Sequence, residues 1–206
     1  MSAEKRYLRQ KAKHWATSFK SSRLRSCDAW HCFTATIMKT IEYPLVATTF
    51  TKKECAYFMA PILRFGLNSV RLQNRLPSAL VYAPSKYQGI GLHDPWVTQL
   101  ITHLHLFLRH SFTSSIPGTL LKTNIENLVM ELGSGRPIWE LHFPTWEPII
   151  TPSWLKATWH DMFSTGLYVR WPHQPIPLAR LHDQYLMDCF VAQHPSPTQL
   201  RSLNEV

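Results

Sequence analysis

The sequence predicts a mainly α-helical protein: a helical bundle, one small β-hairpin, and a helical C-terminal half rich in proline and tryptophan. Three observations predict it. Apolar residues recur at helical spacing through most of the 206 residues. Fifteen prolines and eight tryptophans against seven glycines point to helices joined by rigid, aromatic-anchored connections. One stretch, residues 75–96, breaks the helical pattern with two short apolar runs around a polar loop. The expected organisation is a basic helical bundle over residues 1–75, a hairpin connection over 76–95, a helical region over 96–193 and a flexible tail over 194–206.

Hydrophobic residues make up 45% of the chain and charged residues 17%, a globular composition. No apolar run approaches the roughly 20 residues of a membrane helix, and the N-terminus lacks the apolar core of a signal peptide. Cys27, Cys32, Cys55 and Cys189 show no disulfide-framework spacing, so free thiols in a reducing, intracellular compartment are expected, the nucleus included. The formal net charge is +9. Eight Lys or Arg against Glu4 place +7 of it in the first 26 residues. Such a patch points to an acidic partner: nucleic acid, an anionic membrane surface or an acidic protein. A basic helix also suits a mitochondrial targeting segment, the lesser reading here.

Residues 3–21 have helical periodicity, with Leu8, Ala12, Trp15 and Phe19 on one face. Lys5, Arg9, Lys13 and Lys20 project about 60° to 140° around the axis from Leu8, forming one adjacent stripe. That stripe is nearly all of one sign, which favours phosphate contact over an ordinary solvated face. A second helix is expected over residues 28–42, burying Trp30, Phe33, Ile37 and Ile41. Cys27, His31 and Cys32 lie close in sequence there, but no second ligand pair completes a zinc site. An extended connection around Pro44 follows, over residues 43–50. Thr51-Lys52-Lys53-Glu54 then reads as a capping box, with Phe50 and Cys55 at the staple positions. The third helix turns Cys55, Phe58, Met59, Ile62 and Leu63 inward, kinks at Pro61 and ends at Gly66. Arg64, Arg71 and Arg75 extend the cationic surface.

In the hairpin stretch, the runs 79–83 and 89–92 are the expected strands, flanking a loop that contains Pro84. Asp94-Pro95 is an N-cap followed by proline at the first helical position. The next helix, residues 96–112, carries Val97, Leu100, Ile101, Leu104 and Leu108 as its inward set. His103, His105 and His110 on it lack the spacing and the helper carboxylate of a metal site. Pro117 opens another helix, with Leu121, Ile125, Leu128 and Leu132 inward and Gly133 as its stop. Residues 134–154 read as a loop pinned by Trp139, Phe143 and Trp146. A helix from Pro152 to about Ser164, a short strand over 167–171 and a last helix over 178–193 complete the chain. The tail from His194 is expected to fray.

The chemistry is sparse. There is no G-x-S-x-G elbow, no P-loop and no H-E-x-x-H, and Gly89-Ile90-Gly91 lacks a third glycine. Asp183 and Asp188 are wrongly spaced to face one metal from a helix. No cofactor and no catalytic residue is expected.

The run Leu76-Pro77-Ser78-Ala79-Leu80-Val81-Tyr82-Ala83-Pro84, followed by Gly89-Ile90-Gly91-Leu92 and a helix, resembles the segment just after the polymerase palm in non-LTR retrotransposon reverse transcriptases. Tyr43-Pro44-Leu45, with the helix opening at Thr51 and Glu54, resembles their thumb. Trp139-Glu140-Leu141 and Thr151-Pro152-Ser153-Trp154-Leu155 are similar to the tail that follows in such elements. The resemblance covers most of the chain as a weave of short motifs. It implies a thumb-like bundle and post-polymerase region from a family of RNA-directed DNA polymerases. Polymerases hold two metal ions on carboxylates, and in reverse transcriptases two of these are adjacent in a Tyr-x-Asp-Asp turn. The five aspartates here, Asp28, Asp94, Asp161, Asp183 and Asp188, include no adjacent pair. The resemblance therefore implies a non-catalytic fragment that begins after the catalytic centre. Its partner would be a template–primer-like duplex, gripped along the backbone by Lys5, Arg9, Lys13, Lys20, Arg64, Arg71 and Arg75. A surface that would face a palm should be apolar and open to a packing partner. The alternative is a helical protein-interaction module with a basic N-terminal arm, unrelated to polymerases.

Overall fold

A computed structural model describes residues 3–22, 24–73, 76–170, 183–193 and 195–204. All regular structure among them is helical, so the mainly α expectation holds and the hairpin does not. The chain divides into two compact units, Met1–Thr102 and His103–Val206. No helix of the described residues is long and apolar enough to cross a membrane.

The first unit holds α1 (Ala3–Ser21), α2 (Ser26–Cys32), a π turn (Phe33–Ile37), α3 (Met38–Leu45), α4 (Lys52–Ser69), α5 (Ser78–Tyr82) and the start of α6 (Pro95–Ser111). α1 packs along α4 and buries Leu8 and Ala12. α2, the π turn and α3 run on without a break, so the second helix is longer than expected at both ends. Phe33, Ile37, Ile41 and Leu45 repeat every four residues and are all buried. In a regular α-helix that row drifts by about 40° per step. The wider π turn sets it back and keeps the row on the core. Pro44 falls inside α3, where the sequence suggested an extended connection. Its missing N–H forfeits one intrahelical bond, to the Thr40 carbonyl, and the fully buried Leu45 holds that last turn against the core.

α4 begins as expected. The Glu54 amide donates to Thr51 Oγ1 at 3.3 Å, and the Thr51 amide donates to Glu54 Oε2 at 3.0 Å. Phe50 packs edge-on to Phe58, ring centroids 5.4 Å apart. The helix continues through Pro61 and also through Gly66, which is a contact residue rather than a stop. A Cβ there would lie 2.8 Å from the Phe33 ring. The helix ends past Ser69 in a Schellman motif. Leu72 N–H donates to Leu67 C=O and Arg71 N–H to Asn68 C=O, each at 3.0 Å. Arg71 occupies the left-handed position, at φ 61°.

The stretch 79–92 is a folded-back helical turn. α5 and a 3₁₀ turn (Ser85–Tyr87) stand where two strands were expected. α5 leaves its last carbonyls without helical partners. The returning chain supplies them: Ile90 N–H donates to Leu80 C=O at 2.9 Å, Gly91 N–H to Ala83 C=O at 2.9 Å, and Leu92 N–H to Val81 C=O at 3.2 Å. Two apolar runs facing each other are common to this arrangement and to a hairpin, which is why the pattern misled. Gly89 is obligatory here, because a Cβ would fall 2.0 Å from the Ala83 carbonyl oxygen.

α6 opens on Asp94, whose Oδ1 accepts from Trp96 N–H at 3.0 Å. Its buried residues are Pro95, Trp96, Gln99, Leu100, His103, Phe107 and Ser111, whereas Val97, Ile101 and Leu108 of the expected inward set are exposed. The helix is turned because its bulky aromatic residues, not its aliphatic majority, face the cores. Gln99 is paired at both ends of its amide, accepting from Phe50 N–H at 3.0 Å and donating to Phe50 C=O at 2.9 Å.

The second unit contains the end of α6, α7 (Ile116–Leu132), α8 (Phe143–Trp146), α9 (Trp154–Thr165), α10 (Leu186–Val191) and α11 (Pro197–Asn204). α7 is capped by Ser115 and stops at Gly133 in the left-handed region, φ 57°. Residues 134–154 are pinned by buried aromatics as expected. Trp139 meets Phe107 at 5.3 Å and Trp159 at 6.2 Å, and Phe143 meets Trp159 at 5.3 Å. Residues 167–170 form no strand, and Trp171 lies outside the described residues. Of the expected last helix, 183–193 are described except that only Leu186–Val191 is helical; residues 178–182 lie outside the description. The tail is no frayed end throughout: α11 buries Leu200 on the 3₁₀ turn Glu147–Ile149.

Candidate nucleic-acid interface

The predicted cationic residues divide into two groups. α1 presents the Leu8–Ala12 side to α4, and the flank carrying Lys5 and Arg9 is drawn into that contact. Lys5 Nζ lies 2.6 Å from Glu54 Oε1. The Arg9 guanidinium covers the Tyr57 ring at 3.6 Å and donates to the Tyr57 carbonyl. The stripe drawn from the sequence was centred on Leu8; the true contact line is centred nearer Ala12, which turns the first half of the stripe inward. Lys13 and Lys20, further round and further along, are exposed. Arg64 and Arg71 are exposed on and just beyond α4. None of these four forms an ion pair with a described residue. Arg75 lies outside the described residues.

Other basic residues have partners. Lys11 reaches over the Tyr7 and Trp15 rings, at 5.5 and 5.2 Å. Lys52 covers Trp96 at 5.3 Å. Lys39 pairs with Glu42 at 2.7 Å, and Arg25 with Asp28 at 3.0 Å. The first unit contains fifteen Lys or Arg against five acids, and the second seven against eight. The positive charge of the chain is therefore confined to the first unit, at +10 against −1.

Electrostatics at the α1–α4 contact are set by one carboxylate. The hydrogen bond from Lys5, then that from the Thr51 amide, holds Glu54 below the usual carboxylate range. Elsewhere in the unit, burial pushes the Tyr82 phenol up to about 12, with Asp94 and Cys55 adding to the rise.

Two features escaped the sequence. Phe19 and Phe65 meet at 5.5 Å beside Lys20. Lys20 and Arg71 also line one pocket, with Ser22, Ser26 and Asn68 on its wall. These residues come from three separate segments, and no local spacing signals their meeting. Cys27, His31 and Cys32 form no metal cluster, and none of three or more His, Cys, Asp or Glu occurs among the described residues. His103 is buried instead, its Nδ1 3.3 Å from Thr158 Oγ1 and its ring 4.9 Å from Trp154. Asp188 accepts from the Ser134 hydroxyl and from Gly135 N–H, a tie between α10 and the end of α7.

The chain matches no family model, no curated protein and no solved structure.

Proposed function

We propose that the first unit grips nucleic-acid backbone without reading sequence, as a non-catalytic, thumb-like fragment of a retroelement reverse transcriptase. The observation that carries the binding is the segregation of charge: the whole positive excess lies on one unit, with Lys13, Lys20, Arg64 and Arg71 exposed and without ion pairs to described residues. Phosphate contacts need this and little else, because each cation that meets a phosphate releases condensed counterions. The polymerase relationship rests on the short motifs of residues 43–55, 76–92, 139–141 and 151–155. On this reading the chain neither extends a primer nor needs a metal ion.

The test is affinity for an unrelated duplex, measured as a function of salt. A steep linear fall of log affinity with log salt, alike for different sequences, supports the proposal. Absence of binding at low salt sinks it.

One observation favours a second reading. Val97 and Ile101 leave a short apolar stripe exposed on the part of α6 that belongs to the first unit. A helical protein-interaction module would use such a stripe, and so would a thumb that packs on a palm.

A further inference from the structure

Lys20 closes α1 and Arg71 lies just past the end of α4, yet both line one pocket of about 380 Å³ in the first unit. Its walls differ in chemistry. Phe19 and Phe65 form one side, with ring centroids 5.5 Å apart and planes tilted by 55°. Both rings are only half-buried. Ser22, Ser26 and Asn68 bring hydroxyl and amide groups to the pocket. The Asn68 side chain is exposed and hydrogen-bonds to no described residue.

Arg71 adds a second, independent observation. It holds the left-handed cap of α4 at φ 61°, a conformation that glycine adopts freely and arginine does not. Strain kept where a cation lines a pocket points to a use for that cation.

We infer that this pocket holds a single unpaired nucleotide of a nucleic-acid strand, with its phosphate on Lys20 and Arg71 and its base against Phe19 and Phe65. The inference rests on the nucleic-acid reading above and sharpens it. Cations alone accept a phosphate from duplex or single strand alike. A base inside a duplex has both faces stacked, so only an unpaired base offers a face to an aromatic wall. An isolated phosphate ion would engage the cations and leave that wall unused.

Fluorescence anisotropy on the full chain tests this, with a labelled single strand of about twelve nucleotides and a blunt duplex of the same length, on the scale of one such binding site. The single strand should bind the more tightly. Phe65→Leu keeps apolar bulk and removes the ring; it should weaken single-strand binding roughly ten-fold, the scale of one base stacked on one aromatic side chain. Duplex binding should change less than about two-fold, because backbone contacts do not use the ring. Arg71→Gly relieves the strained cap, so it should weaken single-strand binding with no loss of thermal stability, and it stands as the test if Phe65→Leu misfolds. Unchanged single-strand affinity in either folded variant, or equal weakening of both probes by Phe65→Leu, overturns the pocket and leaves the backbone reading standing. Failure of the unaltered chain to bind either probe overturns both.

Discussion

Lys5 and Glu54 form an ion pair at 2.6 Å that fastens α1 to the capping box of α4. The same carboxylate also accepts from the Thr51 amide, so one side chain serves a helix end and a helix–helix contact together. Its depressed pKa makes the contact pH-dependent. A carboxylate whose folded pKa lies below its unfolded one stabilises the fold above the unfolded value and loses that effect as pH falls through the folded value. Glu54→Gln keeps an acceptor for the Thr51 amide and removes the charge facing Lys5, so it should cost about 0.5–1 kcal/mol at neutral pH, the scale of a partly exposed ion pair, and nothing extra in acid. Urea unfolding at pH 7 and below pH 3 checks it; an equal cost at both would remove the charge from the explanation.

Lys13 and Lys5 provide a matched pair for the backbone-binding proposal, since each substitution removes one positive charge from α1. Lys13 is exposed, while Lys5 is held by Glu54. Lys13→Ala should reduce the slope of log affinity against log salt by roughly one unit, about equally on all sequences. Lys5→Ala should leave the slope unchanged and lower stability instead. Equal slopes for both variants would mean a diffuse cationic arm with no oriented face.

Gly89→Ala should destabilise the first unit by about 1–3 kcal/mol, because the new methyl group would collide with the Ala83 carbonyl. The damage should be local first. Hydrogen exchange at the Ile90 and Leu92 amides, which donate to the end of α5, should accelerate more than exchange in α4. Unaltered exchange at both amides would show that the fold-back does not depend on this close approach.

Gln99→Leu should cost about 2 kcal/mol despite its apolar replacement. Gln99 is 1% exposed and satisfies both the N–H and the C=O of Phe50, just before the capping box. Leucine would fill the space and leave two buried backbone groups unpaired. Chemical denaturation measures the cost, and a neutral result would mean that water replaces the amide.

Much of the fold was legible because its signals are local. The capping box at Thr51–Glu54 is four residues that satisfy one another. Asp94 before Pro95, Pro117 in the first turn of α7 and Gly133 after it mark helix ends by backbone chemistry that needs no distant partner. The candidate site was half legible. Its sign and position on α1 follow from the positions of Lys5, Arg9, Lys13 and Lys20, but which of them stay exposed depends on where α4 lies.

The sequence by itself determined a helical chain, its principal caps, its aromatic-pinned loop and a charge concentrated at one end. Tertiary structure alone decided the rest. It turned α6 so that Trp96 and Phe107 went inward and Ile101 outward, since large rings fill a core more fully than the aliphatic stripe that periodicity favours. It made a folded-back turn of an apparent hairpin, because orphan carbonyls at the end of α5 accept the amides that a strand partner would have used. It also joined Lys20, Phe65 and Arg71 around one pocket. Periodicity states which residues share a face of one helix; only packing states which faces meet.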